Sequence, residues 1–202
     1  MENAGSAVPK SIYNFSTNFS YKGFKLAGVA DYRFGSKFIA DVKSGLAFNG
    51  GLYDSGEVDR ENGGFIMPNS VISDGNGGYT PNTTVMTGGN NYTKVISYFS
   101  SFYSTVGENL LADGQAFKIR EISLSYTLPR DLITAYGLQE VTIGTYARNP
   151  FQKFADNNLN YADPEASFYT SGTGSTPNAR GVSNRGQLPS TKVYGFSLNL
   201  KF

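Results

Sequence analysis

The sequence predicts an all-β chain: the last five antiparallel strands of a transmembrane β-barrel, an open curved sheet when alone, joined by long extracellular loops. Three observations predict it. The chain closes on an alternating strand, with Tyr194, Phe196, Leu198, Leu200 and Phe202 on one face and Val193, Gly195, Ser197, Asn199 and Lys201 on the other. Charged residues are only 16% of the chain while aromatics, all Tyr or Phe, reach 14%. A typical soluble domain carries about 25% charge, so the mix suits a wall with one apolar and one wet face. The connections between strand-like segments alternate short and long, as periplasmic turns and extracellular loops do.

The first strand is expected over residues 11–21, where Tyr13, Phe15, Phe19 and Tyr21 alternate with Asn14, Ser16, Asn18 and Ser20. Lys22-Gly23 reads as a tight turn. The second strand is expected over 24–34, with Phe24, Leu26, Gly28, Ala30, Tyr32 and Phe34 opposite Lys25, Asp31 and Arg33. This strand sets the orientation. A Lys or Arg facing lipid at mid-membrane costs about 2–4 kcal/mol, so Lys25, Asp31 and Arg33 are expected to face the lumen.

A loop over 35–114 follows. Within it Val95, Tyr98, Phe99, Phe102, Tyr103 and Val106 recur at helical spacing, while runs such as Asp74-Gly75-Asn76-Gly77-Gly78 mark turns. The third strand is expected over 115–128. Its apolar residues change phase between Phe117/Ile119 and Ile122/Leu124/Tyr126/Leu128. Either a β-bulge at Arg120-Glu121 keeps both runs on one face, or the strand starts near Ile122. Pro129 stops it, and the turn to Leu138 has room for one helical turn ended by Gly137. The fourth strand is expected over 139–148. Its facing stays open, because Tyr146 fits either the polar row or an interfacial aromatic girdle. After a second loop over 149–189, the closing strand is expected over 190–202.

Composition removes several function classes. A net charge of +1 argues against a nucleic-acid footprint. With no Cys and no His, disulfides, thiolate sites, Ser-His-Asp catalysis and the commonest zinc sites are excluded, so an enzyme is not expected. No apolar run reaches the roughly 18 residues of a transmembrane helix. Met1-Glu2-Asn3-Ala4-Gly5 lacks the charge and apolar core of a signal peptide. A membrane reading therefore expects further chain upstream.

Four segments carry a family resemblance. They are Phe117-Lys118-Ile119-Arg120-Glu121-Ile122-Ser123-Leu124-Ser125-Tyr126-Thr127-Leu128-Pro129, the strand from Val141 to Arg148-Asn149-Pro150-Phe151, the tripeptide Asp163-Pro164-Glu165, and the terminal Tyr194-Gly195-Phe196-Ser197-Leu198-Asn199-Leu200-Lys201-Phe202. Asp31-Tyr32-Arg33 and Phe65-Ile66-Met67-Pro68 add looser support. In order and spacing these resemble the C-terminal barrel portion of SusC/RagA-type TonB-dependent outer-membrane transporters of Bacteroidetes-like bacteria. Pro150 departs from the pattern, where an apolar residue such as Leu is expected. The resemblance implies a 22-stranded barrel in the outer membrane of a Gram-negative bacterium. It implies an N-terminal plug, a TonB-contacting segment, a SusD-type surface lipoprotein as lid, and energised import of glycans or peptides. The expected partners are thus the rest of the barrel, the plug, TonB, the lid, the outer-membrane insertion machinery and lipid. No cofactor is expected. A secreted or surface-attached β-rich binding or structural domain is the competing reading.

Candidate sites follow. Asp156, Asp163 and Glu165 offer the loop carboxylates that Ca²⁺ favours, although a polar turn bent by Pro164 explains them more simply. As a glycosidase pair they have no support elsewhere in the chain. The Val95–Val106 stripe reads as a short helix packing within its loop rather than a sugar platform. Lys25, Asp31 and Arg33 could touch substrate or plug, although a solvated, mutually paired wall explains them more simply. The last strand with Phe202 reads as the signal that the insertion machinery recognises, as the resemblance implies.

Overall fold

The computed structural model of the chain describes residues 4–56, 65–68, 70–85, 92–166, 168–171, 174–183, 185–186 and 190–202. The Gly/Asn-rich runs at 62–64 and 88–91 lie largely or wholly outside them. One antiparallel sheet of five strands dominates: β1 (Ser11–Tyr21), β2 (Phe24–Phe34), β3 (Ala116–Thr127), β4 (Glu140–Phe154) and β5 (Val193–Lys201). Their spatial order is their chain order, so β1 and β5 are open edges and the sheet does not close.

The two short connections are built by local chemistry. Between β1 and β2, Lys22 and Gly23 both have positive φ, 45° and 84°. That is the twist a two-residue hairpin needs to match right-handed strands. A Cβ on Gly23 would also lie 2.7 Å from the carbonyl of Thr127, so the turn excludes other residues twice over. Between β3 and β4, Pro129 precedes a helical turn at Arg130–Ile133, and Gly137 at φ 73° ends the following 3-10 turn.

Register places each side chain. Across β1, β2 and β3, Tyr21 pairs Phe24 and Phe24 pairs Tyr126; Phe19 pairs Leu26 and Leu26 pairs Leu124. The ladder steps by one at Arg120, where Val29 opposes Glu121 and Ala30 opposes Ile119. This is the bulge left open by the sequence. It keeps Phe117, Ile119, Ile122, Leu124 and Tyr126 on one face and turns both Arg120 and Glu121 to the other. A matching irregularity on β4 takes up Asn149 and Pro150 between Arg148 and Phe151. Asn149 adopts φ 48°, and Pro150, which has no N–H to donate, sits where the ladder is already interrupted.

The bulge corrects the expected end of the fourth strand. Pairing resumes beyond Pro150, from Ile119↔Phe151 to Ala116↔Phe154, so β4 runs past Arg148 to Phe154. The loop expected from residue 149 therefore starts after Phe154. It holds short strands of its own at Phe168–Ser171, Gly174–Arg180 and Val182–Ser183. Tyr146 is also fixed: it pairs Ser123 and Gly195 on the face that carries Glu121 and Arg148, not on the apolar face. The absent side chain at Gly195 leaves room for the ring, since a Cβ there would lie 2.5 Å from Tyr146 Cζ.

The two faces of the sheet differ in kind. One carries Phe15, Phe19, Phe24, Leu26, Ile122, Leu124, Ile143, Phe196, Leu198 and Leu200, all exposed, with Phe196 at 90%. Aromatics gather at its two ends. Near the short turns Phe24 and Tyr126 stack at 4.4 Å; towards the long loops Tyr13, Tyr32 and Phe34 neighbour one another, as do Phe117 and Phe151 at 6.2 Å. The other face is polar and charged. An exposed apolar face this broad marks a surface that a partner or a membrane covers.

The chain divides into two compact units, this sheet with most of the last long loop, and residues 39–111 with 184–186. In the second unit the helical spacing around Val95–Val106 is met by a helix at Tyr92–Ser97 and the turns that follow it, and the Asp74–Gly78 turn joins a hairpin of Val71–Ser73 with Tyr79–Pro81; helices Val42–Asn49 and Tyr53–Gly56 were not expected. Within it Tyr98, Phe99 and Tyr103 are buried around Phe65, with Tyr98 and Phe99 edge to face at 5.0 Å. Phe102 and Val106 stay exposed. The stripe is thus mainly a small core. Arg185 holds Asp41 and Ser44 at 3.0 Å in the same unit.

Candidate functional site

The charged face of the sheet gathers six ionisable side chains at its loop end. Asp31 and Arg33 come from β2, Lys118 and Arg120 from β3, and Asp163 and Glu165 from the loop after β4. Strand register explains the first four. Asp31 lies directly opposite Lys118, and Arg33 follows two positions on. The bulge turns Arg120 to this same face.

A tight loop delivers the last two. Asn158 is fully buried; its side-chain amide donates to the Ala162 carbonyl at 2.7 Å and its Oδ1 accepts from the Ala162 N–H at 3.2 Å. Leu159 and Asn160 take left-handed φ values of 47° and 59° to close this turn. The chain emerges at Asp163, which accepts the Glu165 backbone N–H at 3.0 Å. Pro164 begins the 3-10 turn that follows.

Lys118 Nζ donates to Asp163 at 2.5 Å and also to Glu165. Arg120 donates to Glu165 at 2.5 Å and grips Asp31 through both Nε and a terminal nitrogen, the latter at 3.0 Å. Arg33 contacts Glu165, and Asp31 at 3.4 Å. Three cations meet three carboxylates, so the cluster is neutral as a whole. Asp31 and Lys118 are only 4% and 3% exposed. Charges this deep persist only when paired and hydrogen-bonded. Burial opposes the charge on Glu165. Hydrogen bonds from Arg120 and Lys118, with the nearby charges of Lys118 and Arg33, outweigh it and bring the carboxyl from 4.5 to about 2.

The predicted residues are therefore partly brought together. Asp31, Arg33, Asp163 and Glu165 share one network, while Lys25 is exposed near the opposite end of β2, beside Ser20 and Ser125. Asp156 lines a cleft on the other face of the sheet, with Tyr32, Phe117 and Lys153. A cation at Asp163 and Glu165 would have to displace Lys118, Arg33 and Arg120. Among the described residues no group of three or more side chains is arranged to hold a metal. Lys118, Arg120 and Asn158 were not singled out from the sequence. Alternation placed Lys118 and Arg120 together, but only the register reveals that Asp31 faces them. Nothing local marks Asn158. The closing strand presents Tyr194, Phe196, Leu198 and Leu200 on the apolar face, and Phe202 follows the last paired residue, 79% exposed.

No protein-family model matches the sequence, and no curated protein matches it. Solved structures do. The RagAB peptide importer in its closed-closed state is 20% identical with a TM-score of 0.53, covering 98% of this chain and 18% of that chain. Its open-open state gives 20%, 0.52, 96% and 17%, and a structure of the RagAB peptide transporter gives 18%, 0.55, 98% and 18%, in the same order. This chain spans less than a fifth of the length of the structures it matches. It therefore has the fold of one segment of the RagAB transporter structures, an antiparallel wall that five strands leave open, and the SusC/RagA-type resemblance of its sequence motifs holds at the level of fold.

Proposed function

We propose that this chain is part of the barrel wall and outer vestibule of a TonB-dependent nutrient importer of the SusC/RagA type in an outer membrane. The observation that carries the reading is the two-faced sheet, with exposed Phe, Leu and Ile on one side and a neutral, buried ion network on the other. In a barrel the first face meets lipid and the second meets the lumen, where water or other protein satisfies polar groups. An eleven-residue strand at about 3.3 Å per residue and a tilt near 45° rises roughly 25 Å, the height of an outer-membrane apolar band.

Transport by such a wall involves no covalent chemistry in this chain. The ion network clamps residues 158–166 of the last long loop against the lumen side of β2 and β3. It fixes one rim of the outer vestibule, where substrate enters and a SusD-type lid would seat. Peptides are the favoured cargo, because peptide is what the similar solved structures are described as importing; oligosaccharides are the second class. Deleting the whole gene in its host tests this, with uptake of fluorescent peptides and labelled oligosaccharides as the readout. Loss of uptake of either is expected, with uptake restored by complementation and the restored uptake abolished by collapsing the proton-motive force. Undiminished uptake of both, with the product in the soluble fraction, overturns the proposal in favour of a soluble β-rich binding domain.

A further inference from the structure

On the apolar face, directly beyond the aromatic end of the apolar band, lies a cleft of about 510 Å³. Tyr32, Phe117 and Lys153 form its floor as one row across β2, β3 and β4. Asp113 and Gln115 before β3, and Asp156 and Asn157 from the 3-10 turn after β4, line the cleft above this row. The backbone still pairs there, with the Ala155 N–H donating to the Gln115 carbonyl at 3.1 Å. Asp113 and Asn157 brace the upper wall: Asp113 N–H donates to Asn157 Oδ1, and Asn157 Nδ2 donates to Asp113 Oδ2, both at 3.1 Å.

Lys153 is the anomaly. It stands on the face that otherwise carries Phe117, Phe151 and Ile119, is exposed, and has no ion-pair partner among the described residues. A lysine there is tolerated only at the membrane boundary, where its ammonium can reach upward to a phosphate. Around it the cleft offers what a sugar needs: two aromatic rings for stacking, and the Asp156 carboxylate and Gln115 amide for hydroxyl and N–H groups.

Resting on the barrel reading above, we propose that this cleft binds the phosphorylated amino-sugar headgroup of an outer-leaflet glycolipid. Lys153 takes the phosphate, Tyr32 and Phe117 pack on the sugar, and Asp156 and Gln115 accept and donate hydrogen bonds to it. Its position on the lipid face, not the lumen face, is what distinguishes a resident lipid from transported cargo.

The test uses the full-length transporter in detergent micelles, first checked for heat-modifiable migration. Absence of that migration would mean the barrel reading itself has failed. Native mass spectrometry then follows binding of a bis-phosphorylated diglucosamine lipid, its dephosphorylated form, phosphatidylglycerol and soluble glucosamine 1-phosphate. Retention of the bis-phosphorylated lipid is expected, at least ten-fold stronger than that of the other three. The Lys153→Gln and Asp156→Asn variants should each weaken it at least five-fold while migration stays normal. Equal binding of phosphatidylglycerol, or unchanged binding by both variants, overturns the proposal. So does preferential binding of the soluble sugar phosphate, which would indicate a site for a dissolved ligand. No binding at all in a correctly folded barrel overturns it too, and points to another protein segment covering the cleft.

Discussion

At the scale of single residues, the two kinds of ion pair on the charged face should behave differently. Lys118 is buried between Asp163 and Glu165 and lies beside the Phe154 ring, 5.6 Å from its centroid. Arg148 meets Glu121 at 3.1 Å with both side chains well exposed. Removing one partner of a buried pair leaves an uncompensated charge and costs about 3–5 kcal/mol, whereas an exposed pair contributes about 0–1 kcal/mol. In the full-length protein, Lys118→Met should therefore lower the opening free energy of residues 158–166 by that larger amount, read by hydrogen exchange. Glu121→Gln should leave it within the smaller range. The network also predicts a pH response. Because the Glu165 carboxyl is lowered from 4.5 to about 2 in the folded loop, its stabilisation is complete above 4.5 and is lost as pH falls towards 2. A dye on Asn160→Cys should report a loop unchanged from neutral pH to about 4.5 and released progressively as pH falls from there towards 2. Release at higher pH would show that Glu165 is not held by its cations. Sequence alone exposed Asp31 and Arg33 because charge stands out in an apolar alternation, and Asp163 and Glu165 as loop carboxylates around Pro164. It did not expose the pairing of strand with loop, which needs a loop to fold back over some 45 residues.

At the scale of elements, the bulge at Arg120 decides whether β3 works. It lets one strand keep Phe117 and Ile119 on the same face as Ile122, Leu124 and Tyr126, despite the break in alternation. Deleting Arg120 would join Ile119 to Glu121 in strict alternation, so both apolar runs would stay on one face without a bulge. Inserting one Ala between Ser123 and Leu124 should instead move Leu124 and Tyr126 onto the charged face, since a one-residue slip flips every side chain. The full-length protein carrying that insertion should fail to give the heat-modifiable barrel form on a gel, while Arg120→Ala should still give it. Normal migration of the insertion would contradict the register. The strands were legible in the sequence because period-two alternation of Phe, Tyr and Leu is a local signal. The extension of β4 to Phe154 was not. Asn149-Pro150 looks like a stop, and only the partner strand's bulge shows that the ladder resumes beyond it. In the unit at residues 39–111 the helical stripe was legible but its partner was not, because the small aromatic core draws Phe65 against Tyr98 and Phe99 from more than thirty positions away.

At the scale of the whole molecule, five strands leave two open edges and an uncovered apolar face. Neither is tolerated in lipid or in water without partners. The isolated 202-residue chain should therefore not form a heat-resistant barrel in detergent or vesicles, and heat-modifiable migration from it would contradict the architecture. The central claim is that the two faces of this sheet meet lipid and lumen. The last strand tests it most directly, and the absence of native Cys from this chain keeps its own background clean. In the full-length protein, single Cys replacements at positions 194 to 200, labelled with an environment-sensitive dye, should be quenched by lipid-borne nitroxide at Tyr194, Phe196, Leu198 and Leu200. Gly195, Ser197 and Asn199 should instead be quenched by a water-soluble agent, giving a strict period of two. Equal aqueous quenching at all seven positions would contradict the account.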